Sequence, residues 1–218
     1  MPVSYTHLDV YKRQDMDRPL GNAIGNALEI MEVCETLQGR GPQDLTELCV
    51  DLAAYLLYLA DKGTVETCRK MAEGQIRNGE AFGKLKEMVA AQGGDTLVLE
   101  DYQKFPQPKT QYEVLAPASG WVYHMDTEQC GLASVELGAG RTKKEDPIDH
   151  SAGILLCKKV GDPVAEGDVL AKFFAETEAQ CKTAEKRFLS AVQICQEKPQ
   201  VFPVLHACVT EDGVDRLD

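Results

Sequence analysis

The chain has 218 residues, 44% hydrophobic and 27% charged. That is enough apolar material for one large or two small domains, and neither a disordered nor a fibrous class is needed. A formal net charge of −12, with basic residues no denser than pairs such as Lys143 with Lys144 and Lys158 with Lys159, argues against nucleic acid as a partner.

No apolar run reaches the length that crosses a bilayer. The longest, residues 52–60, is interrupted by tyrosines and followed by Asp61 and Lys62. The start lacks the apolar core of a secretion signal, so no membrane partner is expected and the location is expected to be cytoplasmic. Cys34, Cys49, Cys68, Cys130, Cys157, Cys181, Cys195 and Cys208 form no C-x-x-C pair and show no short metal-ligand spacing. Several stand at apolar periodic positions, which reads as reduced core thiols.

The opening MPVSYTHLDVYKRQ shows neither strand alternation nor a helical stripe, and the character of the sequence changes at Asp15. It resembles a recurrent spurious leader of fragmentary conceptual translations. Residues 1–14 are therefore expected to be non-native, and Tyr5, His7 and Tyr11 carry no functional argument.

In LGNAIGNALEIMEVCETL, Leu20, Ile24, Ala27, Leu28, Met31, Cys34 and Leu37 recur at three- and four-residue intervals, predicting a helix with one buried stripe. Gly21, Ala23, Gly25 and Ala27 crowd its first turns. Glycine there costs about 1 kcal/mol relative to alanine, so close approach of another backbone, a ligand or a packed helix is expected.

A second helix is predicted from Asp44, with Glu47 completing a capping box and Leu45, Leu48, Cys49, Leu52, Ala53, Leu56 and Leu57 inward, ending at Gly63. A third runs from Thr64 with Val65, Cys68, Met71, Ala72 and Ile76 inward, until Asn78 and Gly79 break it. A fourth carries Phe82, Leu85, Met88 and Val89 to Gly93 and Gly94. No strand is predicted between Met16 and Gly94, so the strands of any sheet here would come mostly from upstream chain.

Pro106 and Pro108 mark a linker, after which short strands follow. Tyr112 to Val114 and Trp121 to Tyr123 read as a strand pair joined by a tight turn. Gly131, Gly138 and Gly140 punctuate the next stretch. Residues 154–157 and 169–173 read as strands, with turns at Gly161-Asp162 and Gly167-Asp168. A helix is predicted from Glu176 to Ile194, and residues 201–209 add a final strand.

The GDPVAEGDVLA stretch is like the turn-strand units of biotinyl and lipoyl carriers, but Lys158, Lys159 and Lys172 lack an attachment motif. His150 lies beside Asp149, near Arg141, Glu145 and Asp146, and reads as a solvated loop rather than a catalytic cluster. Gly138-Ala139-Gly140-Arg141 lacks the G-K-[ST] ending of a phosphate loop and reads as a glycine-dependent turn. No nucleophile elbow, H-E-x-x-H or calcium loop is present.

DMDRPLGNAIGNALEI, GPQDLTELCVDLAAYLL, VAAQGGD, VELGAGRTKKEDPIDHSAGI and KKVGDPVAEGDVLA together resemble the pyrimidine-nucleoside phosphorylase and thymidine phosphorylase family. The resemblance covers nearly everything from Asp15 onward. It implies an α/β class: an incomplete phosphorylase central domain represented mostly by helices, then a small α+β, β-rich, hammerhead-like C-terminal domain. Residues 15–100 would be the end of the central domain, 101–110 a linker and 111–218 the C-terminal domain.

The resemblance also implies a homodimeric parent that reversibly cleaves thymidine, deoxyuridine or uridine with phosphate, giving free base and pentose 1-phosphate. The family's phosphate-holding and pyrimidine-holding groups lie upstream of the position matching Asp15, so no catalytic residue is assigned here and the fragment is expected to be inactive alone. No organic cofactor is implied. Broader-specificity bacterial members bind a monovalent cation, usually potassium, near the phosphate loop. Leu20 and Ala23 match its backbone-carbonyl ligands, and Glu32 its carboxylate ligand. The alternatives are a noncatalytic structural or interaction module, or a fragment of a related AMP phosphorylase.

Overall fold

The computed structural model describes residues 11–141, 143–210 and 213–216. Tyr5 and His7 lie outside the described residues. β1 (Tyr11–Gln14) nevertheless forms a strand, antiparallel to a strand near the far end of the chain. Backbone pairing at a sheet edge needs no side-chain alternation, which is why the sequence pattern gave no sign of it.

The predicted first helix begins later than its periodicity suggested. β2 (Ala23–Ile24) comes first, and α1 (Asn26–Leu37) starts only after Gly25, whose φ of 137° no helix admits. A strand therefore does exist between Met16 and Gly94. Gly21 (φ 68°) and Gly25 serve the turns around β2 rather than crowding a helix.

α2 (Gln43–Leu59) is entered through Pro42 and carries no side-chain cap, so the expected Asp44 capping box does not form. It ends at Leu59, short of Gly63, and Asp61 takes the left-handed conformation beyond it (φ 55°). α3 (Val65–Arg77) is capped by the Thr64 hydroxyl, which accepts from the Thr67 N–H at 3.2 Å, and α4 (Glu80–Ala91) follows the break at Asn78 and Gly79.

The faces assigned inward on these helices are only partly covered. Leu48 and Cys68 are buried, whereas Cys49, Leu52, Leu56, Met71 and Met88 are exposed, Leu56 at 69%, and Ala54, not the expected Ala53, is the buried alanine of α2. The linker is tied down by two short 3-10 turns and by Tyr102, whose hydroxyl donates to Glu35 at 2.7 Å.

The second half contains β3 (Thr110–Leu115), β4 (Gly120–Met125), α5 (Thr127–Leu137), β5 (Gly153–Leu156), β6 (Pro163–Val164), β7 (Val169–Ala175), α6 (Glu178–Ala191), β8 (Val192–Cys195), β9 (Leu205–Thr210) and β10 (Gly213–Arg216). The sheet orders are β2-β5-β7-β3, β6-β4-β8 and β1-β9-β10. Each pairing is antiparallel.

Three expectations are corrected here. β3 and β4 are not a hairpin: β3 pairs with β7 and β4 with β8, so the turn between them carries the chain from one sheet to another. The helix predicted to Ile194 stops at Ala191, where Val192 and Ile194 enter β8 opposite β4; β-branched residues favour the pleated backbone there. α5 was not predicted at all. Its buried Cys130, Ala133, Ser134 and Leu137 have helical spacing, Asp126 caps it through the Gln129 N–H at 3.0 Å, and Gly138 (φ 108°) closes it. Gly131 within the run obscured that signal.

One buried core joins β3 to β8 with α5 and α6. Val114, Leu137, Ile154, Phe173 and Phe188 are fully buried, with α5 and α6 packed together beside the four-stranded sheet. Arg187 on α6 reaches Glu136 (2.7 Å) and Gln129 (2.9 Å) on α5, fixing the helix pair.

Candidate functional site

β2 is an edge strand of the four-stranded sheet, although its residues belong by sequence to the helical half. Ala23 pairs with Leu155 and Ile24 with Ile154, and the Leu156 N–H donates to the Asn22 carbonyl at 2.7 Å. The Ala27 N–H donates to the His150 carbonyl at 3.1 Å, and the Asn26 side chain to the Ala139 carbonyl at 2.8 Å. The exposed His150 and half-buried Asp149 stand where the sequence suggested a solvated loop, and His150 meets α1 through its backbone carbonyl. The Asp149 carboxylate is spent on the N–H and hydroxyl of Ser151.

The turn at residues 20–23 is held from three directions. From α1, Glu32 Oε1 accepts from the N–H groups of Asn22 (2.8 Å) and Ala23 (3.1 Å). From α2, Asp44 Oδ2 accepts from the Gly21 N–H at 3.2 Å. From the loop between β5 and β6, the Lys159 ammonium donates to the Gly21 carbonyl at 2.7 Å and forms an ion pair with Asp44. Asp44, expected to cap a helix, instead joins this network.

The two carboxylates respond in opposite ways. For Glu32, burial raises the pKa above the ordinary 4.5 and outweighs the two N–H groups and the more distant Lys159 charge. For Asp44, burial also pushes upward, but the hydrogen bond and charge of Lys159, with the N–H groups of Leu45 and Gly21, hold the carboxyl below 3.8.

Leu20, Ala23 and Glu32 line one open cleft of about 350 Å³. The three positions singled out by sequence thus share one small region. Their proposed donor atoms are all oxygen, which suits an alkali cation. Among the described residues no group of three or more His, Cys, Asp or Glu side chains could hold a metal. Asp44 and Lys159 were not singled out as site residues, although both lie within the quoted stretches GPQDLTELCVDLAAYLL and KKVGDPVAEGDVLA.

The carrier-like stretch forms β6 and β7 with turns at Gly161 (φ 95°) and Gly167 (φ 88°). Lys158 donates to the Pro163 carbonyl and Lys172 pairs with Glu113, which leaves neither lysine displayed at a hairpin tip. Gly138 is the closing residue of α5 rather than part of a phosphate loop. No helix among the described residues is long and apolar enough to cross a membrane.

Residues 121–195 match the family model described as the pyrimidine nucleoside phosphorylase C-terminal domain. The chain is 44% identical over 165 residues to the pyrimidine-nucleoside phosphorylase of Geobacillus stearothermophilus, an alignment covering 75% of this chain and 38% of that protein. It is 39% identical over 198 residues to the Bacillus subtilis enzyme of that name, and 41% identical over 199 residues to that of Staphylococcus aureus strain USA300; each alignment covers 90% of this chain and 45% of the relative. The chain therefore spans less than half the length of these relatives. Alignments of this length necessarily include much of the helical half as well as the matched C-terminal region.

Proposed function

We propose that the chain is the C-terminal part of a pyrimidine-nucleoside phosphorylase whose parent reversibly cleaves thymidine, deoxyuridine or uridine with phosphate, releasing free base and pentose 1-phosphate. The observation that carries this reading is identity of about 40% along 90% of the chain, joined to coverage of only 45% of the relatives. Large apolar side chains left exposed on α2 to α4, Leu52, Leu56, Met71 and Met88, support it: apolar groups with the pattern of a core but no cover call for a partner. That partner would be upstream chain of the parent.

In this reading residues 15–100 complete the central α/β domain, residues 101–110 link it onward and residues 111–218 form the C-terminal domain; the pairing of β1 with β9 counts against residues 11–14 being foreign to the fold. Phosphate and nucleoside are substrates held mainly by upstream groups, and the parent is a homodimer. A bound potassium ion would supply positive charge near the phosphate. On this chain Glu32 would hold it through its carboxylate, and Leu20 and Ala23 through backbone carbonyls. The hydrogen bonds from Asn22 and Ala23 would fix the direction of the Glu32 carboxylate.

The fragment alone is proposed not to turn over, because phosphorolysis needs phosphate and sugar aligned by converging polar groups. The self-contained core around Phe173 and Phe188 favours a second reading, a noncatalytic structural or interaction module.

Purified chain and a restored full-length parent should be assayed together for phosphorolysis of thymidine and uridine. Activity in the parent alone is expected; rapid turnover by the 218-residue chain would overturn the fragment reading. Glu32→Gln in the active parent should weaken its dependence on potassium, and an unchanged potassium titration would remove Glu32 from the cation site.

A further inference from the structure

Lys159 lies on the loop between β5 and β6, far along the chain from the turn it touches. Its own backbone is fixed first. The Lys159 N–H donates to the Asp162 carboxylate at 2.8 Å, the Asp162 N–H returns to the Lys159 carbonyl at 3.0 Å, and Gly161 supplies the positive φ that closes the loop. The side chain then crosses to the helical half, where its ammonium binds both the Gly21 carbonyl and Asp44. Asp44 in turn accepts from the Gly21 N–H.

One lysine therefore holds Gly21 at its carbonyl directly and at its amide through Asp44. Gly21 stands between Leu20 and the two residues whose amides hold Glu32. A shift of this turn would move the carbonyls of Leu20 and Ala23 and break the amide contacts that orient the Glu32 carboxylate.

We propose that Lys159 is a positioning residue through which the C-terminal half sets the turn at residues 20–23, and with it the carbonyls of Leu20 and Ala23 and the carboxylate of Glu32. The link to cation binding rests on the site proposed above, whereas control of the turn does not. Lys159 touches neither phosphate nor nucleoside in this scheme. Its contribution is to keep oxygen donors from two segments in one arrangement before a cation arrives, which lowers the ordering cost of binding.

Amide hydrogen exchange of the 218-residue chain tests this directly, read at Gly21, Asn22 and Ala23, with β7 amides as the internal reference for global unfolding. Lys159→Met should speed exchange at the three turn amides by about tenfold or more, the scale of losing a charge-assisted hydrogen bond, while β7 is unchanged. Lys159→Arg should restore much of the protection. Lys158→Met removes the neighbouring charge, which serves Pro163 and Asp168 instead, and should leave the turn alone. Unchanged turn exchange in Lys159→Met, or an equal response in Lys158→Met, overturns the proposal.

Potassium chloride against choline chloride, read by the same exchange in the restored full-length parent, which carries the upstream phosphate-holding groups, and in its Lys159→Met variant, separates the two claims. Added protection of the turn in wild type and its loss in Lys159→Met support both. Turn exchange that responds to Lys159→Met but not to potassium in either protein upholds the positioning role and counts against the cation site.

Discussion

The ring of Phe188 on α6 meets that of Phe173 on β7 edge to face, with centroids 5.4 Å apart and planes at 89°. Both side chains are fully buried. The pair joins the last long helix to the central strand pairing, and such contacts add about 0.5–1.5 kcal/mol beyond the area they bury. Phe188→Ala should cost about 3–5 kcal/mol, a large share of the total stability of a domain. Urea unfolding followed by circular dichroism checks this, and a loss under about 1 kcal/mol would mean that the core closes without Phe188.

Gly25 is a backbone requirement. With φ at 137°, a Cβ there would stand 2.5 Å from the Ala152 carbonyl oxygen and 2.9 Å from Gly153 Cα. Gly25→Ala should destabilise by about 1–3 kcal/mol and loosen β2 from β5. Faster amide exchange at residues 23–24 should accompany the loss. An alanine variant as stable as the wild type would show that the approach of this turn to β5 is not tight.

Asp44 gives a pH dependence of definite sign. Its folded pKa is below the ordinary 3.8 because Lys159 and two backbone N–H groups outweigh burial. The stability it contributes is therefore fully present above the unfolded value and is lost as pH falls through the folded one. Asp44→Asn should be less stable than the wild type at neutral pH, and the gap should close as the pH is taken below 3.8. Paired urea titrations at neutral and acid pH would show this; a gap constant across the range would detach Asp44 from the Lys159 ion pair.

The thiols should divide by burial. Cys49 and Cys157 are exposed, whereas Cys34, Cys68, Cys130, Cys181 and Cys208 are buried. Burial, together with the charge of Asp126, pushes the Cys130 thiol up to about 12. At mildly alkaline pH an aromatic disulfide reagent should label Cys49 and Cys157 in the native chain and Cys130 only after denaturant is added. Peptide mass mapping would locate the label, and early modification of Cys130 would contradict the closed core around α5.

Local periodicity in the sequence determined much of the helical half: α3 and α4 follow directly from the spacing of Val65, Cys68 and Phe82, Leu85 and from the break at Asn78 and Gly79. The same holds for β7 and for most of α6, because side-chain spacing along one element is a local property. The resemblance to the family likewise marks Leu20, Ala23 and Glu32 from the sequence.

Tertiary structure alone decided which strands pair and which faces are covered. β3 and β4 look like a hairpin but serve different sheets, Leu56 has the pattern of a core residue yet remains exposed, and Ile24 leaves the helical stripe to pair with β5. Asp44 could cap a helix by its spacing, but Lys159 reaches it from 115 residues away. The physical reason is shared: spacing fixes what a segment can offer, while hydrogen bonds and ion pairs between distant segments depend on which surface the folded chain brings opposite it.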